Sequence, residues 1–299
     1  MYEKFFQLGC DPFAVSPDPR FLYATATHAE ALAGLLYGIQ ARKGMMALSG
    51  EVGTGKTLVL RCLMHAFDPK NTVCCYMFHS RIGADDLIRY LLGDLGLEPH
   101  STSKSDLLLQ LSAHLVSLFR KGVTPVLIID EAQNLDAAAL EEVRLLTNLE
   151  TAEAKLLQVI LAGQPELDQK LGSHELRQLR QRIMLRFRLS PLTREQSRCY
   201  IESRLQLAGH SGERLFTAAA LDGIQVYSQG VPRLINVLCG NALLCAYAQG
   251  QTSVGAECVE EVAAELELSG EAGAALPAAM AAECRESSVT RSISSEAKS

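Results

Sequence analysis

The stretch of sequence that decides the fold is Gly50-Glu51-Val52-Gly53-Thr54-Gly55-Lys56-Thr57. Its spacing, Gly-x-x-x-x-Gly-Lys-Thr, is typical of a phosphate-binding loop. The glycines allow backbone N–H groups to curl around phosphates without side-chain clashes. A helix that begins near Lys56 points the positive end of its dipole at the same anion. We therefore predict that this loop, together with the following Leu58, binds the phosphates of ATP.

The residues on either side of the loop support this prediction. Residues 45–49 are a short apolar strand, and residues 58–67 have helical spacing until Asp68-Pro69 ends them. A strand before the loop and a helix after it form the context that a phosphate-binding loop requires. In that context, Lys56 reaches the β- and γ-phosphates and Thr57 holds Mg²⁺.

Apolar strands and amphipathic helices alternate along residues 28–189. The predicted strands are 45–49, 72–78, 126–129, 156–162 and 186–189. The predicted helices are 28–42, 58–67, 85–95, 104–120, 135–149 and 175–183. Strands that alternate with helices through short turns favour an α/β fold, a doubly wound parallel sheet with helices on both faces.

The chain after Pro191 has a different pattern. Helical periodicity continues through residues 194–207, 217–228, 232–248 and 256–268, with no strand between them. We therefore predict four parts: an N-terminal segment (1–43), a P-loop αβα core (44–190), a helical lid (191–269) and a tail (270–299). The tail is rich in Ala, Ser, Gly and Glu. It cannot bury enough apolar surface to offset the entropy of ordering, so we expect it to be disordered.

Two carboxylates, Asp130 and Glu131, follow the apolar run of residues 126–129. Such a run is typical of a strand that is buried on both faces, and the carboxyl ends of parallel strands face the ligand crevice. We predict that Asp130 accepts a hydrogen bond from a Mg²⁺-bound water and that Glu131 is the general base for the attacking water. A capped turn would also suit an Asp-Glu pair, but the upstream phosphate-binding loop favours hydrolysis.

Further polar residues lie beyond the predicted sheet. Gln164 follows the fourth strand, where an amide could position the attacking water or contact the γ-phosphate; a backbone hydrogen bond is the alternative. The arginines before and along the last strand are Arg177, Arg180, Arg182, Arg186 and Arg188. They could form a solvated face, or one could stabilise transition-state charge in a neighbouring subunit, with Arg182 preferred over Arg180.

Arg233 is the last candidate. It follows Gly230-Val231-Pro232, and proline is common at the first position of a helix. Arg233 thus lies in the first helical turn, where the helix dipole disfavours a cation. This unfavourable placement favours a role in binding a ligand, with an ordinary helix start as the alternative; the family resemblance given below implies that the ligand is the nucleotide.

Composition narrows the class of protein. Charged residues are 21% of the chain and the formal net charge is −6, which gives no support for broad nucleic-acid binding. The nine cysteines include no Cys-x-x-Cys pair, so we interpret them as reduced thiols in the cytosol. The first residues lack the apolar region of a signal peptide, and no apolar run approaches the roughly 20 residues of a membrane helix.

Taken together, these motifs resemble those of AAA+ ATPases. Residues 50–57 match the Walker A motif, residues 126–131 Walker B, Gln164 sensor 1 and residues 230–233 sensor 2. More narrowly, the chain is similar to the ExeA/GspA-type secretion-pathway ATPases and the related ATPases of exosortase systems. The similar segments lie within residues 1–23, 50–57, 130–135, 162–167, 179–183 and 230–236.

The resemblance covers residues 1 to about 268. It implies an αβα core, a helical lid, ATP with Mg²⁺, and a homo-oligomer. It also implies that Phe13, Tyr23 and His28 flank the adenine. ExeA-type proteins typically continue into a membrane helix and a peptidoglycan-binding domain, whereas this sequence ends in a short polar tail. We therefore expect no cell-wall role.

One position departs from the family pattern. Where the family usually has an Asn that restrains the Walker B glutamate, this sequence has His79, followed by Ser80. His79 could hydrogen-bond Glu131 in a pH-sensitive way, or it could be a plain strand-end histidine.

Three functions remain. The first is an AAA+ ATPase that couples its nucleotide state to switching in an envelope-associated assembly, secretion or export system. It would act in the cytoplasm or at the inner membrane through a protein partner. The second is an ATP-dependent DNA-binding regulator of the transposition-helper type, and the third is a nucleotide-gated scaffold with little turnover. The acidic net charge and the lack of a basic arm favour the first.

Overall fold

Short apolar strands come together in one parallel sheet at the centre of the core. The computed structural model describes residues 1–14, 18–78 and 82–268. The strands are β1 (Met45–Gly50), β2 (Thr72–Met77), β3 (Thr124–Ile129), β4 (Gln158–Gly163) and β5 (Ile183–Leu189). Their order across the sheet is β2-β3-β4-β1-β5, and all neighbours are parallel.

Helices cover both faces of this sheet, because a parallel sheet is apolar on both sides. They are α2 (Ala26–Gln40), α3 (Lys56–His65), α4 (Ala84–Asp94), α5 (Lys104–Arg120), α6 (Ala137–Leu146), α7 (Pro165–Gly172) and α8 (Arg177–Arg182). The short helix α1 (Tyr2–Phe5) precedes them and packs on the lid instead. In β1, Met45 and Ala47 pack on the side of α4 to α8, whereas Met46 and Leu48 pack on the side of α2 and α3. This alternation is the two-residue period of a strand.

The lid is a bundle of four helices with its own apolar core. Its helices are α9 (Arg194–Leu207), α10 (Ala218–Ser228), α11 (Pro232–Ala248) and α12 (Ala256–Glu265). Phe6, Leu8 and Phe13 belong to the same apolar cluster. The buried guanidinium of Arg204 on α9 donates to the carbonyls of Pro12 and Ala14, at 2.5 and 3.3 Å. The first 14 residues therefore pack on the lid.

The sequence predicted the fold class, and the structure confirms it. The main difference is α7, which lies between the predicted strand 156–162 and the predicted helix 175–183 and was not predicted from the sequence. Proline is accepted at the start of a helix, since the first N–H groups there have no partner in the helix. Strand β5 also begins three residues earlier than predicted, at Ile183. The predicted disorder of the tail concerns residues outside those described.

Candidate functional site

The carboxyl ends of three adjacent strands bring the candidate residues together. Strand β1 leads into the loop of residues 50–57, β3 ends before Asp130 and Glu131, and β4 ends before Gln164. Ser49 lies beside Gly163, and Ile129 beside Leu161, so the three strands end at the same edge. This edge is where open parallel sheets bind their ligands.

The loop of residues 50–57 is shaped by glycine and by one buried lysine. Gly53 and Gly55 have φ values of +80° and +100°, a conformation that side chains disfavour. Lys56 Nζ donates to the carbonyls of Gly50 and Glu51, at 2.7 and 2.9 Å. Burial lowers the pKa of Lys56, and nearby carboxylates, with Glu131 first, partly oppose that shift. The loop thus holds a desolvated cation at the start of α3.

Asp130 is surrounded by hydrogen-bond donors. Its Oδ2 accepts from Thr57 Oγ1 at 3.0 Å and from the Tyr76 hydroxyl at 2.7 Å. Its Oδ1 accepts from the backbone N–H of Glu131 at 3.0 Å. Burial raises the pKa of Tyr76, with Asp130 adding to the shift, so Tyr76 stays a donor. The carboxylate of Asp130 is therefore fixed beside the hydroxyl of Thr57.

These oxygen atoms fit a hard divalent cation. Hydroxyl and carboxylate oxygens are the donors that Mg²⁺ prefers, usually with phosphate and water completing its shell. No group of three or more His, Cys, Asp or Glu in the described part of the chain is arranged to hold a metal by itself. The donor set of Thr57 and Asp130 thus suits a metal that arrives with a phosphate ligand.

Glu131 lies in an unusual conformation beside two amides. Its φ and ψ are 53° and 39°, in the left-handed region. Its Oε2 accepts from Gln164 Nε2 at 2.8 Å and from Gln133 Nε2 at 2.5 Å. Left-handed backbone is costly for a residue with a Cβ, and such strain concentrates at functional sites. The structure thus brings Gln164 to the carboxylate of Glu131.

The lid closes over the loop through Arg233. Its backbone N–H donates to the carbonyl of Gly53 at 3.2 Å, and Arg233 lies in the first turn of α11 as predicted. A cavity of about 350 Å³ separates loop and lid. From the lid it is lined by Tyr200, Arg204, Pro232, Arg233 and Asn236. From the loop side it is lined by Val52, Gly53, Gly55, Lys56, Thr57, Leu58 and Glu131.

The residues of the N-terminal segment that line this cavity differ from those expected. Ala14 and Asp18 line it, whereas Phe13, Tyr23 and His28 are absent from the described lining. Phe13 packs edge-on against Phe216, and Tyr23 packs against Tyr200. These two rings belong to the lid core rather than to the cavity wall.

His28 contacts the backbone of the loop of residues 50–57 at Thr54. Its Nε2 lies 3.0 Å from the carbonyl oxygen of Thr54, and its Nδ1 lies 2.6 Å from Thr25 Oγ1. A carbonyl can only accept, so Nε2 donates and Nδ1 accepts from the hydroxyl. This is a neutral tautomer, and burial lowers the pKa of His28. His79, the other histidine considered, lies outside the described residues.

The two preferred arginines, Arg182 and Arg180, lie near the amino ends of the strands, opposite to the carboxyl ends where the loop of residues 50–57 lies. Ile183, next to Arg182, pairs with Met45 at the amino end of β1. A strand rises about 3.3 Å per residue, so Arg182 is roughly 16 Å along the sheet from the loop. Arg182 lines a second cavity with Lys43, Arg144, Lys155 and Arg177. Arg180 is exposed, and its carbonyl accepts from Arg186. The structure does not bring either arginine to the loop of its own chain.

Fold and site together define a P-loop protein with an AAA domain. A family model described as an AAA domain matches residues 39–171. The solved structure of Cdc6p from Pyrobaculum aerophilum superposes with a TM-score of 0.67 at 20% identity, over 86% of this chain and 72% of that chain. ORC2 from Aeropyrum pernix gives a TM-score of 0.62 at 17% identity, over 85% and 70%. At these identities the likeness concerns the fold alone.

A relative with higher sequence identity indicates a narrower family within the AAA proteins. The chain is 44% identical over 255 residues to General secretion pathway protein A from Aeromonas hydrophila. The match covers 85% of this chain and 46% of the relative, so the chain spans about half the length of that protein. This similarity confirms the resemblance to ExeA/GspA-type ATPases that the sequence motifs indicated.

Three groups of residues contribute to this site without having been predicted from the sequence. Tyr76 contacts Asp130, Gln133 contacts Glu131, and the lid residues Tyr200, Arg204 and Asn236 form a hydrogen-bonded row along the cavity. The alternation of side chains along β2 shows which face Tyr76 lies on. It predicts a contact with Asp130 only if β2 is known to be the neighbour of β3. Gln133 lies in residues 130–135, one of the segments that resemble the family, but its contact depends on the pairing of β3 with β4.

Proposed function

We propose that the chain binds ATP with Mg²⁺ and hydrolyses the bond to its γ-phosphate. The observation that supports this most strongly is the meeting of Lys56, Asp130, Glu131 and Gln164 at one edge of the sheet. Phosphate binding alone needs only the loop. A second carboxylate beside a metal-binding one adds a group that can take a proton from water.

Each residue has a role in this proposal. Lys56 moves from the carbonyls of Gly50 and Glu51 to the β- and γ-phosphates, which then neutralise its charge. Residues 50–58 surround the phosphates with N–H groups, and Thr57 and Asp130 hold Mg²⁺. The metal, when bound, neutralises charge on the phosphate oxygens. Glu131 accepts the proton of the attacking water, and Gln164 orients that water or contacts the γ-phosphate.

The lid makes hydrolysis a conformational switch. Arg233 lies on the lid, and its backbone already contacts the loop at Gly53. A guanidinium that binds phosphate in one nucleotide state and not in another favours a different lid position in each state. Because the first 14 residues pack on the lid, they move with it.

The resemblance to ExeA/GspA-type ATPases suggests the assembly and the partner with which this switch works. We propose a homo-oligomer in which Arg182, or else Arg180, completes the site of a neighbouring subunit. We also propose a protein partner in an envelope-associated secretion or export system, with the chain held at the inner membrane through that partner. No helix of the described residues is long and apolar enough to cross a membrane.

Nucleotide binding and phosphate release test this proposal. Lys56→Ala removes the buried cation, so we expect the affinity for a fluorescent ATP analogue to fall by at least about tenfold, as for the loss of a charged hydrogen bond. Phosphate release should require Mg²⁺ and should be lost in this variant. Lys70→Ala, at an exposed lysine, is the matched control and should behave as wild type. Unchanged binding in Lys56→Ala would refute the assignment of the loop.

A further inference from the structure

Gln133 is a polar residue of the site to which the proposed function gives no role. It lies in the 3-10 turn Ala132–Asn134, directly after Glu131. Its Nε2 donates to Glu131 Oε2 at 2.5 Å, and its Oε1 accepts from the backbone N–H of Gln164 at 3.1 Å. A single amide group therefore contacts both the candidate base and the candidate sensor.

Other contacts fix the position of this amide. Lys170 Nζ donates to the carbonyls of Gln133 and Leu135, at 2.8 and 2.5 Å, and so anchors the turn. Gly163 leaves the space that the amide fills, since a Cβ there would lie 2.7 Å from Gln133 Oε1. One end of the amide faces an N–H and the other a carboxylate, so only one orientation satisfies both neighbours. Both β3 and β4 thus hold Gln133 in place.

Glu131 and Gln164 also contact each other directly. Gln164 Nε2 donates to the same oxygen, Glu131 Oε2, at 2.8 Å. The side chains of Glu131 and Gln133 form a closed ring of hydrogen bonds with the side chain and the backbone N–H of Gln164. Glu131, the residue with the left-handed backbone, is a member of this ring. A movement of Gln164 therefore changes the forces on the carboxylate of Glu131 in two ways, directly and through Gln133.

We propose that Gln133 is a positioning residue that couples the sensing amide of Gln164 to the carboxylate of Glu131. When the side chain of Gln164 turns toward a γ-phosphate, Gln133 keeps the backbone of Gln164 and the carboxylate of Glu131 at a fixed separation. Glu131 Oε2 then loses the donor of Gln164 but keeps that of Gln133, so the carboxylate stays oriented and is open to the attacking water only when the γ-phosphate is present. This inference rests on the proposed function, because it assigns the regulation of the same site.

Replacing Gln133 by leucine tests the coupling, since leucine has a similar size and no polar side-chain atom. We expect kcat to fall about tenfold, the effect of one lost hydrogen bond to a charged group. The affinity for ADP should stay within about twofold of wild type, because Gln133 lies away from the phosphate-binding loop. The ratio of the dissociation constants for ADP and a non-hydrolysable ATP analogue should fall by about threefold or more.

Two further variants separate positioning from folding. Asn134→Ala changes the next residue of the same turn, whose exposed side chain makes no hydrogen bond to the described residues; kcat and the affinity ratio should not change. Gln133→Glu keeps the acceptor for the N–H of Gln164 but places a second carboxylate against Glu131. Its kcat should fall at least as far as that of Gln133→Leu, and an unfolding midpoint above the assay temperature shows that the variant is folded.

The two readouts give distinct outcomes. A folded Gln133→Leu or Gln133→Glu protein whose kcat and affinity ratio stay within twofold of wild type overturns the proposal. So does an equal loss of affinity for ADP and the ATP analogue, which would indicate a general structural role. The affinity ratio is an equilibrium quantity, so it tests the coupling even if the wild-type chain releases no phosphate. That absence of release would overturn the proposed function instead.

Discussion

Asp130 and Glu131 are adjacent carboxylates at the end of β3, yet their partners differ. Two hydroxyl groups donate to Asp130, from Thr57 and Tyr76, whereas two amides donate to Glu131. The hydroxyl of Thr57 ties Asp130 to the residue that would share a metal with it. The amides tie Glu131 to the neighbouring strand β4. Such different surroundings allow one carboxylate to orient a metal and the other to accept a proton.

The contribution of the buried, neutral His28 to stability can also be tested. Burial lowers its pKa in the folded state, whereas the unfolded value is near 6.5. The neutral form therefore adds stability that is complete above about pH 6.5 and is lost as the pH falls through the lowered folded-state pKa. We expect the free energy of unfolding of wild type to drop more steeply below about pH 6.5 than that of His28→Gln. Urea titrations from pH 7.5 to 5 measure both.

Glutamine is the matched replacement because its amide can still donate to the carbonyl of Thr54 but cannot take up a proton. Equal pH dependence in the two proteins would show that His28 makes no contribution of this kind. Other titrating groups are common to both proteins, so the difference between the two curves reports His28 alone.

How much of the site the sequence could predict depends on the range of the contacts. The position of residues 50–57 between a strand and a helix is local, and their spacing was sufficient to predict it. The position of Asp130 was predictable because an apolar strand precedes it. Tyr76 and Gln133 were not given roles, since their contacts depend on which strands are neighbours. The strand order β2-β3-β4-β1-β5 is not a local property of the sequence.

At the scale of elements, the start of the lid depends on Gly230. Its φ is +76°, and it pairs with Leu192, whose backbone N–H donates to its carbonyl at 2.8 Å. A Cβ at Gly230 would lie 2.0 Å from the carbonyl oxygen of Leu192. The backbone at Gly230 therefore lies so close to the backbone at Leu192 that only glycine fits. This contact fixes the start of α9 beside the start of α11.

We expect Gly230→Ala to destabilise the chain through both strain and overlap. A left-handed backbone costs a residue with a Cβ about 1–2 kcal/mol, and overlap with fixed backbone adds about 1–3 kcal/mol. Gly250→Ala is the control, because Gly250 has a φ of +68° and nothing within 4 Å of its Cβ position. Urea unfolding should show the larger loss for Gly230→Ala. Equal losses would mean that the contact with Leu192 relaxes freely.

Secondary structure was predictable where periodicity was long. The helices of the lid were found because their apolar residues repeat over three turns or more. Helix α7 was missed because it is only eight residues long and begins with proline. The early start of β5 was missed because Ile183 was predicted as the end of the preceding helix, 175–183, whereas it is the first residue of the strand.

At the scale of the whole molecule, the two edges of the sheet differ in charge. The carboxyl edge has the loop and the carboxylates Asp130 and Glu131, whereas the amino edge has the basic cavity around Arg182. Opposite edges of one chain cannot meet, but edges of two chains can. Head-to-tail association of this kind gives rings or filaments.

Mixing two inactive variants tests whether Arg182 acts between subunits. Arg182→Ala should bind nucleotide but hydrolyse it about 10³-fold more slowly, the usual effect of losing such an arginine. Lys56→Ala should bind nucleotide weakly and release no phosphate, but it still carries Arg182. Mixed oligomers then contain complete sites, so phosphate release should exceed the sum of the separate proteins. Arg214→Ala, an exposed lid arginine, is the control for arginine removal and should keep wild-type activity.

No recovery on mixing, with oligomers shown by light scattering, would contradict a role for Arg182 between subunits. The same mixture made with Arg180→Ala decides between the two arginines, because only the variant that lacks the acting guanidinium can be complemented.

The central claim is that this chain hydrolyses ATP with Glu131 as the base, and one comparison tests it most directly. Wild type and Glu131→Gln are each incubated with radiolabelled ATP and Mg²⁺, and bound nucleotide and released phosphate are measured on the same samples. We predict equal ATP binding, steady phosphate release by wild type, and release at least about 100-fold slower in the variant, as for the loss of a general base. Equal phosphate release by the two proteins would contradict the account.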